Sequence, residues 1–253
     1  MLLTNGCSFV WGDELEGFDN DPPTHYQYRF SEILAKKLNM PLANIATCGA
    51  CNMKIFRDTI DYLMTNPKPE YVVILWSAWQ RGEVAENLSK EEEEALKIQR
   101  WQCMSQISPN RIQCVRPEKQ KSLSLYYRDV QQSRGDVLQG LSLMKAMQLT
   151  CDSMGIKLLQ GVFHNKMWKN ILATFDSKSR DENWGDLIDY LKASLSLLRP
   201  ECRIGLGYYT DMYTLGELKH SIKPYGHPDE ATNAEYADIL YNIILETWNP
   251  LER

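Results

Sequence analysis

Ser8 and His227 are the two residues of this chain whose types and settings suit acyl transfer. Ser8 lies in the run Leu2-Leu3-Thr4-Asn5-Gly6-Cys7-Ser8-Phe9-Val10-Trp11-Gly12-Asp13, where a short apolar stretch leads into a glycine, a Cys-Ser pair and a second glycine. A hydroxyl at the point where a strand turns into a helix sits at the mouth of an α/β sheet, the edge at which open sheets of this kind hold their chemistry. Gly6 and Gly12 let the backbone turn sharply on either side. A serine in that place can also serve only as a helix cap, and its neighbour Cys7 reads as a buried inert thiol or as a second nucleophile. A hydroxyl is a weak nucleophile and needs a base beside it. Of four histidines (His25, His164, His220, His227), the last is pinned between Gly226 and Pro228, next to the start of a helix. That setting holds an imidazole still, as a general base requires.

Other groupings carry less. Cys48-Gly49-Ala50-Cys51 has the spacing of a redox pair between a strand and a helix, but the elements around it do not follow a thioredoxin order. A zinc site would need two further well-placed ligands, and no second Cys or His pair supplies them. No glycine-rich phosphate loop occurs. Trp76, Trp79, Trp101, Trp168 and Trp184 could line a sugar-binding cleft or simply pack. The run Glu91 to Glu94 reads as a solvated face near a helix start. No metal or organic cofactor is expected.

The chain has 253 residues, 43% hydrophobic and 24% charged, enough for one sizeable α/β domain with a full core. The net charge of −5, without a basic block, disfavours nucleic-acid binding. No apolar run reaches the length of about 18 residues that a membrane span needs. The first residues resemble neither a signal peptide nor a lipoprotein signal. Seven cysteines without a repeating spacing suit reduced thiols, so a cytoplasmic protein is expected, in the host cytoplasm if viral.

These residues must be held by a sheet. The sequence predicts a first strand into Gly6, a polar loop over Glu14–Thr24 and an amphipathic helix over Tyr26–Leu38, with Phe30, Ile33, Leu34 and Leu38 on one face. A short strand follows over Leu42–Ala46, then a helix from Met53 to Met64. Tyr71–Trp76 is apolar throughout, as suits a strand covered on both faces. Three strand-then-helix units imply a parallel sheet with right-handed crossovers, gathering Ser8, Gly49 and Ser77 at one edge. Leu88–Ile107 reads as helix and Ser108–Arg134 as a lid, within an insertion over about 82–135. Asp136–Met154 reads as helix, Ile156–Phe163 as strand, Trp184–Leu198 as helix, Arg203–Gly207 as a short fifth strand and Tyr208–Pro224 as loop. Thr232 and Glu235 have capping-box spacing at the head of the last helix, striped by Ala237, Leu240, Ile244 and Trp248.

Gly6-Cys7-Ser8-Phe9-Val10-Trp11-Gly12 resembles the first block of the SGNH (GDSL-type) hydrolases. Asn44 to Asn52 resembles their second block, and Gly226-His227-Pro228 their last. The resemblance spans nearly the whole chain, in a manner similar to a divergent, phage-type branch. It implies a flavodoxin-like α/β/α sandwich with about five parallel strands, in one domain over 1–253. It further implies that Ser8 attacks, His227 takes its proton and the N–H groups of Ser8 and Gly49 face the oxyanion. The family's third-block Gly-x-Asn is replaced by Ser77-Ala78-Trp79, so Ser77, Gln80 or Arg81 is the substitute donor, with Trp79 and Arg81 taken as substrate-binding. Pro224 stands where the family has its acid, so a backbone carbonyl or another carboxylate must orient His227. Asp229 is close by but suits a helix start. The implied activity is hydrolysis of a small-molecule or carbohydrate ester, such as O-deacetylation. The alternative is a non-catalytic relative that binds a glycan or protein partner.

Overall fold

Tyr71–Trp76 forms the strand β3, every residue of it buried, and the architecture is built outward from it. The structure is a computed structural model and describes residues 1–17, 19–20, 24–79, 81–85, 104–107, 133–164, 189, 192–206, 210–224 and 226–248. Among these, β1 (Leu2–Gly6) and β2 (Leu42–Asn44) lie to one side of β3 and Lys157–Val162 to the other. All pairings in this sheet are parallel, with Leu3 opposite both Ala43 and Val72, and Val72 opposite Leu158. The fifth strand expected over Arg203–Gly207 is reduced to one parallel bridge between Gly161 and Ile204. The two backbones approach so closely there that a Cβ on Gly161 would lie 2.3 Å from the Ile204 carbonyl oxygen.

The helices described include α1 (Ser8–Trp11), α2 (Phe30–Lys37), α3 (Asn52–Thr65), α4 (Ser133–Ser153), α5 (Met212–Lys219) and α6 (Glu230–Trp248), and residues 192–196, within the helix expected over Trp184–Leu198, are helical too. They cover both faces of the sheet, because the strands present apolar side chains to both. On one face Asn5 donates to the Ile55 carbonyl and Thr59 hydroxyl of α3, and Gln160 donates to the Met144 carbonyl of α4. On the other, Tyr71 meets Trp248 of α6 at 5.9 Å between ring centroids, and Phe30 of α2 meets Tyr236 of α6. The result is the expected three-layer α/β/α sandwich. A second sheet pairs β4 (Gly82–Ala85) with β5 (Met104–Ile107) in antiparallel fashion, and Lys157–Val162 is then β6.

Four further expectations are corrected. Residues 104–107 are strand rather than helix, because they pair with β4 across the intervening segment. Within Tyr208–Pro224, expected as loop, residues 212–219 form α5, capped by Asp211, whose carboxylate accepts from the Thr214 N–H at 2.9 Å. The cap of α6 is Asp229, not Thr232: its Oδ1 accepts from the Thr232 N–H at 2.8 Å and the Thr232 hydroxyl at 2.7 Å. The helix expected over Tyr26–Leu38 opens with a 3₁₀ turn at His25–Tyr28 before α2 begins. Most of the expected lid, the run Glu91 to Glu94, Trp101, Trp168, Trp184 and Gln80 lie outside the described residues. No helix among the described residues is long and apolar enough to cross a membrane.

The topology fixes where chemistry can happen. The chain leaves β1 for β2 on one side, then returns past β1 to β3 on the other. The crevice beyond the carboxyl ends of β1 and β3 is therefore the switch point of the sheet.

Candidate active site

β1 ends at Gly6, and no larger residue fits there: a Cβ would lie 2.4 Å from Val10 Cγ2 and 2.8 Å from the Leu75 carbonyl oxygen. The chain can thus turn at once into α1, which places Ser8 at its first position, 5% exposed. Val10 and Trp11 donate back to the Cys7 carbonyl at 3.0 Å each. Gly12 then takes φ +86° and ends the helix, and its N–H and that of Asp13 both return to the Ser8 carbonyl, at 2.9 and 3.0 Å. A Cβ at Gly12 would meet Arg29 Cγ at 2.6 Å, so both conformation and space require glycine.

From the far end of the sequence, Gly226 at φ +97° leads into His227. The Lys223 N–H donates to the His227 carbonyl at 2.7 Å, and the Asp229 N–H to the Ser221 carbonyl at 3.2 Å, closing a small loop that holds the imidazole. The ring lies beside Phe9, 5.0 Å between centroids. Its Nε2 is 2.7 Å from Ser8 Oγ, across 219 positions of sequence. Its Nδ1 is 2.7 Å from Oε2 of Glu14, and the same oxygen accepts the His227 backbone N–H at 3.2 Å. With Nδ1 protonated toward the carboxylate, Nε2 is left with a lone pair to accept the Ser8 hydroxyl proton. The three side chains are spaced as nucleophile, base and orienter are in a serine triad.

Glu14 is the residue that sequence reasoning missed. It stands on the loop directly after the nucleophile helix, not ahead of the histidine where Pro224 lies. It adopts φ +64°, an unusual conformation for a residue with a side chain, and such outliers cluster at functional sites. The loop is further tied down by Glu230 of α6, whose Oε1 accepts the Glu16 N–H at 2.7 Å while Oε2 pairs with Lys223 at 3.0 Å. Burial pushes the Glu230 carboxyl up, but these hydrogen bonds and the Lys223 ammonium hold it below the usual glutamate range. One helix end thus anchors both the loop that carries Glu14 and the loop that carries His227. Asp13, beside Glu14, places Oδ2 3.7 Å from Nε2, the nitrogen that faces Ser8.

The other expected site residues are placed as follows. Gly49 has φ +78°, with nothing within 4 Å of where a Cβ would be, in the turn that the Thr47 N–H ties to the Gly6 carbonyl at 3.2 Å. Ser77 follows β3 and is 2% exposed. Its backbone N–H already donates to Asn52 Oδ1 at 2.7 Å, and Asn52 Nδ2 donates to the Ser77 carbonyl at 3.2 Å. Its hydroxyl is buried and has no hydrogen-bond partner among the described residues. Any donation by Ser77 to a substrate oxygen therefore comes from Oγ and not from the peptide. Trp79 is 5% exposed, and a Cβ on Gly140 would fall 1.8 Å from its ring. It packs against α4 instead of lining an open cleft. Arg81 is half-buried, and its Nη1 has no hydrogen-bond partner among the described residues. Cys51 of the Cys-x-x-Cys pair caps α3, its sulfur accepting the Lys54 N–H at 3.5 Å. Among the described residues, no group of three or more His, Cys, Asp or Glu is arranged to hold a metal ion.

No protein-family model matches the sequence, and no curated protein matches it. Solved structures do. The chain is similar to a carbohydrate esterase family 2 enzyme with a carbohydrate-binding domain from Corynascus thermopiles (Myceliophthora fergusii), at 13% identity over 97% of this chain and 65% of that one, TM-score 0.48. It is also similar to a lipolytic protein of the G-D-S-L family from Desulfitobacterium hafniense, at 10% identity over 96% of this chain and 98% of that one, TM-score 0.47. A third is an acetyl xylan esterase from the rumen bacterium Butyrivibrio proteoclasticus, at 10% identity over 98% of this chain and 64% of that one, TM-score 0.49. This chain spans about two thirds of the length of the first and third of these proteins.

Proposed function

We propose that the chain is a serine-dependent ester hydrolase working through an acyl-Ser8 intermediate. The observation that carries this reading is the continuous chain of contacts from Ser8 Oγ to His227 Nε2 and from His227 Nδ1 to Glu14, each at 2.7 Å. Ser8 Oγ attacks the ester carbonyl carbon while its proton passes to Nε2. Glu14 stabilises the imidazolium so formed and holds its tautomer, without itself taking the proton. The carbonyl oxygen becomes an oxyanion facing the N–H groups of Ser8 and Gly49. Preorganised donors of this kind contribute about 3–4 kcal/mol each. The Ser8 N–H stands ahead of the turn that Val10 and Trp11 close on Cys7, so helix geometry assigns it no internal acceptor. The Ser77 hydroxyl is the third donor, in place of the asparagine side chain of the SGNH pattern. Nε2–H then protonates the departing alkoxide, and water, deprotonated by the same nitrogen, releases the acid and restores Ser8.

The substrate class is a small ester, with an O-acetylated carbohydrate as the reading that the SGNH resemblance favours. Reduced buried thiols and the absence of a basic block suit a cytoplasmic protein that acts on small molecules.

The test is intact-mass labelling with a fluorophosphonate at neutral pH, on wild type and Ser8→Ala side by side. One adduct on wild type that is lost in the variant is the expected result. A well-folded wild type that takes no adduct overturns the reading in favour of a non-catalytic glycan- or protein-binding relative.

A further inference from the structure

Asp13 occupies a position that the triad does not require. Its main-chain N–H donates to the Ser8 carbonyl at 3.0 Å, so its Cα is fixed relative to the nucleophile. Its carboxylate reaches within 3.7 Å of Nε2, the imidazole nitrogen that exchanges a proton with Ser8 and the leaving alkoxide. Glu14 meets the opposite nitrogen. The side chain of Asp13 is 23% exposed against 11% for Glu14, so it stands at the open side of the ring. Among the described residues, His227 is the only basic side chain within ion-pair distance of Asp13. Since neutral Nε2 accepts from Ser8, it has no proton to offer Asp13, so at the open side of the ring the carboxylate faces no ion-paired cation; His25, the other basic group that feels its charge, is buried.

We propose that Asp13 is a specificity-determining residue that makes the site select esters of neutral or cationic alcohols and reject those of anionic ones. Neutral sugars and amino sugars then fit the alcohol side, and sugar acids do not. This rests on the hydrolase reading above. Charges about 5–6 Å apart at the rim of a partly buried site differ in energy enough to change relative rates by tenfold or more.

The test uses three aryl acetates that share one acyl group: methyl 3-acetoxybenzoate (neutral), 3-acetoxybenzoate (anionic) and 3-acetoxyphenyltrimethylammonium (cationic). For wild type, kcat/KM is expected lowest for the anion. In Asp13→Asn the anion-to-neutral ratio of kcat/KM should rise about tenfold or more, and the cation-to-neutral ratio should fall. Taking ratios within each enzyme cancels any general change in activity. With wild type alone, raising NaCl from about 0.05 to 0.5 M should narrow the discrimination as the charge is screened, which tests the idea even if the variant folds poorly. Hydrolysis of the neutral ester with ratios unchanged within twofold by the substitution, or with no salt dependence in wild type, overturns the charge filter and leaves the hydrolase intact. A wild type inert to all three esters and to the fluorophosphonate overturns both.

Discussion

At Glu14 one carboxylate oxygen serves two donors of His227, the ring Nδ1 and the backbone N–H. Replacing it with glutamine keeps the shape but offers an amide where the imidazole needs an anion. The comparable aspartate-to-asparagine change in the well-studied serine-protease triad lowers kcat by about 10⁴. We expect Glu14→Gln to lose about 10²- to 10⁴-fold in kcat on acetyl esters, with KM little changed, as steady-state kinetics would show. Ser8→Ala and His227→Ala should each lose nearly all turnover with the thermal midpoint within a few degrees of wild type. Midpoints far below that would assign the residues to structure instead. Ser8 and His227 stand out in the sequence because their settings are local: glycines around Ser8, glycine and proline around His227. Glu14 does not. Asp13, Glu14 and Glu16 are three acids in one loop, and nothing in the order of residues ranks them. What selects Glu14 is the meeting of that loop with the Gly226–His227 turn, a contact made in space alone.

The elements show the same division. β3 was legible to the residue, because an unbroken apolar run of that length has one economical reading. Helix α5 was not: it is short and has Gly216 in its interior, so its start depends on the Asp211 cap. The sequence places the head of α6 three residues late, because Thr232 and Glu235 imitate a capping box that Asp229 supplants. Asp229 illustrates how that cap responds to acid. Burial raises its carboxyl, but hydrogen bonds from Ser221 and Thr232 more than offset this and hold it below the usual aspartate range. A depressed folded-state pKa gives stability that is present above the ordinary aspartate pKa and is lost as pH falls through the folded value. Asp229→Ala should therefore cost about 1 kcal/mol at pH 7 by urea unfolding, and the difference from wild type should shrink as pH drops below about 4. A difference that stays constant with pH would locate the effect elsewhere. Because α6 also anchors Glu16 through Glu230, the capped end of this helix and the reactive loop share one support.

Across the whole molecule the core isolates its thiols. Cys151 and Cys202 are fully buried, and burial pushes both up to about 12. The thiolate is the reactive form, so these residues should resist alkylation until the chain unfolds. Among the described cysteines, iodoacetamide at neutral pH should modify Cys48, which is exposed, well before Cys7, Cys151 and Cys202. Peptide mapping with and without urea checks this, and early labelling of Cys151 would mean that the α4–β6 layer opens on its own. The fold as a whole was legible because strand-then-helix alternation admits few topologies. Its edge was less so, since the fifth strand dwindles to the bridge at Ile204. The 219 positions between Ser8 and His227 bear on how the protein is made. The ribosome delivers the serine 219 residues before the histidine. Through that interval the growing chain carries the Ser8 hydroxyl without the His227 imidazole. If the two residues act together as proposed, a nascent polypeptide halted before residue 227 should cleave no ester, and cleavage should begin only once that codon has been passed and α6 has docked.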